Sequence, residues 1–100
     1  MKIIYLDIDN VLNNEFTKTT IGAFHGLEPR LVKMFLDWYN QRNYKIILSS
    51  TWRTDDLFKQ ALIDNGITWI AETPYIFHRR KYEIETSVEK FKPDKYVILD

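Results

Sequence analysis

The sequence predicts a three-layer α/β sandwich, a mainly parallel sheet with helices on both faces, and three observations carry that expectation. Three short apolar runs, Ile3-Ile4-Tyr5-Leu6, Ile46-Ile47-Leu48 and Tyr96-Val97-Ile98-Leu99, are continuous rather than alternating, the pattern of strands buried on both faces. Stretches with helical spacing separate them, and alternation of strand and helix favours parallel pairing. Each run ends in a polar residue able to do chemistry: Asp7, Ser49 and Asp100.

Taken in order, residues 2–8 form the first strand. Residues 13–26 carry Asn13, Asn14, Thr17, Thr20, Gly22 and Gly26 and read as a long polar loop, which in a compact domain is usually functional or mobile. Pro29 suits the first turn of a helix, and Leu31, Met34, Phe35, Trp38 and Tyr39 repeat at helical spacing to about Arg42. The second strand follows over residues 45–48. Thr54 is the expected N-cap of a second helix, with Asp55 and Asp56 in a first turn that favours negative charge. Leu57, Phe58, Ala61 and Leu62 would form its buried stripe, and Asn65-Gly66 its left-handed end. Residues 67–71 read as a short third strand and residues 72–80 as a loop. A third helix over about 81–91 turns Ile84, Val88 and Phe91 inward, with Pro93 beyond its end. Residues 96–99 complete the sheet as a further buried strand. No repeat, low-complexity segment or linker interrupts the chain, so residues 1–100 are expected as one domain.

Composition narrows the function classes. Of the 100 residues, 45% are hydrophobic and 15% aromatic, enough for a packed core. The net charge is zero, with six basic and five acidic residues in the first half and eight and nine in the second. The broad basic footprint of a nucleic-acid binder is therefore absent, although a local basic groove is not excluded. The absence of cysteine excludes disulfides and thiolate metal sites. Asp7 and Asp9 interrupt the N-terminal apolar run too early for a signal peptide, and no apolar stretch approaches membrane-spanning length. A soluble cytoplasmic protein is expected.

Asp7 and Asp9 close the first strand one residue apart. Side chains alternate along a strand, so both carboxylates leave one face. Two close carboxylates repel unless a cation or a shared proton lies between them, which points to a metal-assisted site. In open α/β sheets ligands bind outside the carboxyl ends of the strands, the common address of Asp7, Asp9, Ser49, Ser50 and Asp100.

Asp7-Ile8-Asp9-Asn10-Val11-Leu12 after an apolar strand resembles motif I of the haloacid dehalogenase (HAD) superfamily, mostly phosphatases; Asn10 stands where Gly or Thr is usual. Ile46-Ile47-Leu48-Ser49 is similar to motif II, with Ser49 or Ser50 as the hydroxyl. Arg79-Arg80-Lys81 supplies motif III, with Arg80 preferred, and Tyr96-Val97-Ile98-Leu99-Asp100 matches the start of motif IV. A narrower resemblance adds Thr51-Trp52-Arg53, Gly66-Ile67, Glu72-Thr73-Pro74 and Tyr82-Glu83-Ile84 in the same order. That set resembles the small HAD domain of Swiss Army Knife RNA-repair proteins.

The resemblance implies a Rossmann-like, nearly capless fold, with room only for a small flap in the 13–26 loop. A second acidic residue, a further helix and a fifth strand, common in the family, do not follow Asp100, so a truncated or a minimal domain is expected. The implied activity is Mg²⁺-dependent phosphomonoester hydrolysis. Asp7 would be the nucleophile and Asp9 the general acid and base. Ser49, Ser50 and Arg80 would bind phosphate, and Asp7, the Asp9 carbonyl and Asp100 would hold Mg²⁺. Nucleotides or polynucleotide ends are the implied substrates.

Other residues have competing readings. Arg53 could bind phosphate of an extended substrate or pair with Asp55 or Asp56 on the surface. Trp52 is expected in the core, with base stacking as its alternative. His25, His78, Tyr75, Phe77 and Tyr82 are expected in packing or surface roles. Two other functions compete: a non-catalytic module binding a phosphorylated ligand or protein, and a phosphotransferase. A monomer is expected, or a weak homodimer through a free sheet edge.

Overall fold

The structure, a computed structural model, describes residues 1–76 and 79–100; Phe77 and His78, expected above in packing or surface roles, lie outside the described residues. Strand β1 (Lys2–Leu6) is followed by a hairpin of β2 (Thr20–Ile21) and β3 (Phe24–His25). Helix α1 (Pro29–Tyr39), strand β4 (Tyr44–Leu48), a 3-10 turn (Thr51–Thr54) and helix α2 (Asp56–Asp64) come next. Strand β5 (Ala71–Glu72), helix α3 (Arg80–Phe91) and strand β6 (Lys95–Leu99) complete the chain. The main sheet has the order β5-β4-β1-β6, and every pairing in it is parallel.

The continuous apolar runs explain the centre of this sheet. Ile3, Ile4, Tyr5 and Leu6 are fully buried in β1, as are Ile47 and Leu48 in β4. Alternation then divides the core into two. Ile4, Leu6, Ile46 and Leu48 pack with Val32 and Phe35 of α1 and Leu62 of α2. Ile3, Tyr5 and Ile47 pack with Ile84 of α3 on the other face. Helix, sheet and helix thus form the three predicted layers, and each fully buried Ile or Leu contributes about 1.5–3 kcal/mol. Strand β6 departs from expectation: it is an edge strand with Tyr96 and Ile98 each 45% exposed, because α3 covers only part of its outer face.

Local chemistry moves several boundaries. The 13–26 stretch is not all loop. It contains the β2–β3 hairpin, whose turn uses Gly22 at φ 61°, a left-handed conformation glycine takes without strain. Thr54 does not cap α2. Its hydroxyl donates to the Thr51 carbonyl within the 3-10 turn, and the Asp55 carboxylate accepts from the Leu57 N–H as the true N-cap. Along the helix Leu57 is exposed and Leu62 buried. In α1 it is Val32 and Phe35 that are buried, while Met34 faces out. The third strand is Ala71–Glu72 rather than residues 67–71, since Ile67 enters the core from coil. Helix α3 ends at Lys92 in the left-handed region, just before Pro93. No helix among the described residues is long and apolar enough to cross a membrane.

Candidate active site

Strand register assembles the candidate residues. Leu6 stands opposite Leu48 on one side and Leu99 on the other. The next residue of each strand is therefore Asp7, Ser49 and Asp100, side by side at the carboxyl edge. The ladder continues into them: the Asp7 N–H donates to the Leu99 carbonyl at 3.0 Å and the Ser49 N–H to the Leu6 carbonyl at 2.9 Å. β4 and β6 flank β1 and are reached by crossovers on opposite faces of the sheet, so the residues sit where α/β sheets bind ligands.

Asp7 lies among charges. Arg80, the first residue of α3, brings Nη1 to 3.5 Å from Asp7 Oδ2 and 2.5 Å from Asp100 Oδ1, while its Nε donates to Ser49 Oγ at 3.1 Å. Its Nη2 is buried without a partner among the described residues. An unpaired buried guanidinium nitrogen is costly, and an anion is the kind of group that would satisfy it. Burial pushes the Asp7 carboxyl above the ordinary aspartate range; the Ile8 N–H and Arg80 oppose this, and Asp100 and Asp9 add to it. Asp7, Asp9, Ser49, Thr51, Arg53 and Arg80 are among the walls of a cavity of about 210 Å³.

Of the other residues considered for phosphate, Ser50 accepts from the Trp52 N–H and caps the 3-10 turn; it does not line this cavity. Arg79 lies over the Tyr82 ring. Lys81 is a surface residue 3.9 Å from Glu85.

Asp9 has different neighbours. Its Oδ1 accepts from the Trp52 indole N–H at 3.1 Å and from Asn13 Nδ2 at 3.0 Å. Asn13 Nδ2 also donates to the Gly26 carbonyl at the end of the hairpin, and Asn13 Oδ1 accepts from the Asn10 N–H. Asn10 sits at φ 65°, a left-handed position that Asn tolerates. Its place in motif I is thus compatible with the tight turn that follows Asp9. Trp52 is 2% exposed, the expected core placement, but its hold on Asp9 was not expected. Nor was the buried Asn13 link; an Asn four residues after an Asp in a turn is the only signal for it in the sequence.

Arg53 does not pair with Asp55 or Asp56 on the surface. It is buried and meets Glu83 of α3 at 3.1 Å, each side chain being 4% exposed. Its guanidinium also donates to the carbonyls of Ser50, Thr73 and Pro74, and Glu83 accepts from the Ile76 N–H. Every charge is answered, as burial of an ion pair requires. The pair fastens the segment after β4 to the first turn of α3, which carries Arg80.

Among the described residues no three His, Cys, Asp or Glu side chains form a group able to hold a metal ion. The set implied above asks for less: two carboxylates and one main-chain carbonyl. Asp7 and Asp100 already share one cationic nitrogen of Arg80, and their donors are oxygen alone, which fits the preference of Mg²⁺ in kind.

No curated protein and no solved structure matches the chain. Residues 3–100 match the HAD domain in Swiss Army Knife RNA repair proteins, and with nearly its whole length in that match the chain belongs to this family of the HAD superfamily.

Proposed function

We propose that this chain is a Mg²⁺-dependent phosphomonoester hydrolase working through an aspartyl-phosphate on Asp7. The observation that carries the reading is Arg80, with Nε on Ser49, Nη1 between Asp7 and Asp100, and Nη2 buried and unpaired. That leaves a directed cationic donor beside the carboxylate that would attack phosphorus. Family membership supports nucleotide or polynucleotide ends as the substrate class.

In this mechanism an Asp7 oxygen bonds to phosphorus as the bond to the leaving oxygen breaks, and Asp9 gives that oxygen its proton. Asp9 then takes a proton from water as the water oxygen bonds to phosphorus, freeing Asp7 and inorganic phosphate. Ser49 Oγ and Arg80 bind the equatorial oxygens, where charge is spread in the transition state. Trp52 and Asn13 aim the Asp9 carboxylate. Asp7, the Asp9 main-chain carbonyl and Asp100 would hold Mg²⁺, which supplies charge neutralisation between carboxylate and phosphoryl group.

The test is phosphate release from 4-nitrophenyl phosphate with Mg²⁺ and with chelator. Chelator-sensitive release that disappears in Asp7→Asn is expected. Release that survives Asp7→Asn overturns the nucleophile assignment, and no release from the folded wild-type chain favours a phosphate-binding module instead.

A further inference from the structure

A second cavity, of about 320 Å³, is lined by Asp9 but not by Arg80. Asp9 is the residue common to both cavities among the described residues. A residue that protonates a leaving group must face it, so on the functional reading above, on which this inference rests, the larger cavity receives whatever is attached to the phosphate.

Its walls have a definite chemistry. Phe24 of the hairpin meets Phe58 of α2 edge to face at 5.9 Å, and Phe58 packs on Trp52 at 4.8 Å. Trp52 is buried, but Phe24 is 66% exposed, a large apolar ring on a two-residue strand. Asn10, Asn14 and Glu15 line the same cavity. The Asn10 side chain, the Asn14 Nδ2 group and the Glu15 carboxylate make no hydrogen bond or ion pair among the described residues. The lining thus combines aromatic rings, inclined to one another at 75° and 52°, with donors and acceptors.

We propose that this cavity is a nucleobase subsite, placing the base of a nucleoside phosphate against Phe24 and Phe58 with its heteroatom edge toward Asn10, Asn14 and Glu15. Aromatic rings stack any base, and the free amide and carboxylate groups match ring nitrogens and exocyclic amines. A phenyl leaving group would leave those groups unanswered. Glu15 also disfavours a second phosphate in this cavity, so the base rather than a continuing backbone enters it. The volume is at the lower end for small-molecule pockets, which run from about 300 Å³ upward.

The test compares adenosine 5′-monophosphate with ribose 5-phosphate, which differ by the base alone, for binding to the Asp7→Asn chain by calorimetry. The monophosphate is expected to bind about tenfold more tightly or better, the size of one base–aromatic stack. Free adenosine should shift the amide resonances of Asn14, Phe24 and Phe58. In Phe24→Ala the affinity ratio should fall toward one. Phe24→Leu, which keeps apolar bulk but loses the ring face, should do the same if the alanine variant fails to fold. Equal affinities in the parent, a ratio untouched by either Phe24 variant, or tighter binding of phosphotyrosine than of the nucleotide would each overturn the subsite. Nucleotide binding as expected without phosphate release would sink only the hydrolase reading. Hydrolysis with no preference for the base would sink only the subsite.

Discussion

Asp7 and Asp9 are two residues apart and occupy opposite electrostatic settings. Asp7 meets a guanidinium, a second carboxylate and a hydroxyl; Asp9 meets a neutral indole N–H and a neutral amide. Asp7 opens onto the cavity beside Arg80, and Asp9 onto both cavities. A carboxylate among charges suits bonding to an anionic centre whose charge must be offset. A carboxylate held by neutral donors keeps its direction without being locked to a counter-ion, which suits proton transfer. Equal residues two positions apart are thus differentiated by what the fold brings to them, as in other paired-carboxylate sites.

Substitutions can break or sharpen that contrast. The largest expected effect is that of Asp7→Asn, which reduces turnover to background while circular dichroism shows the fold retained. Asp9→Asn should cost about 10²–10⁴-fold on an alkyl phosphate. It should cost less on 4-nitrophenyl phosphate, whose leaving group needs no proton. Equal losses on both esters would erase the distinction between the carboxylates.

Glu83→Ala acts on the segment that joins the two settings, since Arg53 adjoins Trp52 in the 3-10 turn and Glu83 lies in the first turn of α3 with Arg80. It leaves Arg53 buried without its counter-charge and should lower stability by about 3–5 kcal/mol in urea unfolding. An unchanged midpoint would show that the three carbonyls suffice to hold Arg53. The smallest expected effect is on the Asp9 side. Trp52→Phe keeps most of the ring and removes one hydrogen bond to a charged group, worth about 1.5–3 kcal/mol. About a tenfold loss on the alkyl ester, with little change on the aryl ester, would place Trp52 as a positioning residue; equal losses would make it a packing residue only.

Much of this architecture was legible because the central strands are buried on both faces. Ile3–Leu6 and Ile46–Leu48 suited strands buried on both faces, and their polar ends marked the carboxyl edge. The family resemblance drawn from those ends was borne out by the match over residues 3–100. The hairpin was hidden because strands of two residues show no alternation. Arg53 was hidden because its partner Glu83 is thirty residues away in sequence and joined to it only by packing of α3. Thr54 and Asp55 were both acceptable caps by type. Ser50, by capping a preceding 3-10 turn, decides between them, and that is a tertiary outcome rather than a propensity.

The alignment of Leu6, Leu48 and Leu99 also bears on folding. Asp7, Ser49 and Asp100 come abreast through strand pairing itself. A slip of one residue in either pairing would send the side chains of the slipped strand to the opposite sheet face, where they misfit the other core cluster. Mispaired chains would therefore be unstable before they could be merely inactive. The arrangement works as a proofreading step, admitting only correctly threaded molecules to function, so loss of activity in denaturant should coincide with melting of the sheet rather than precede it.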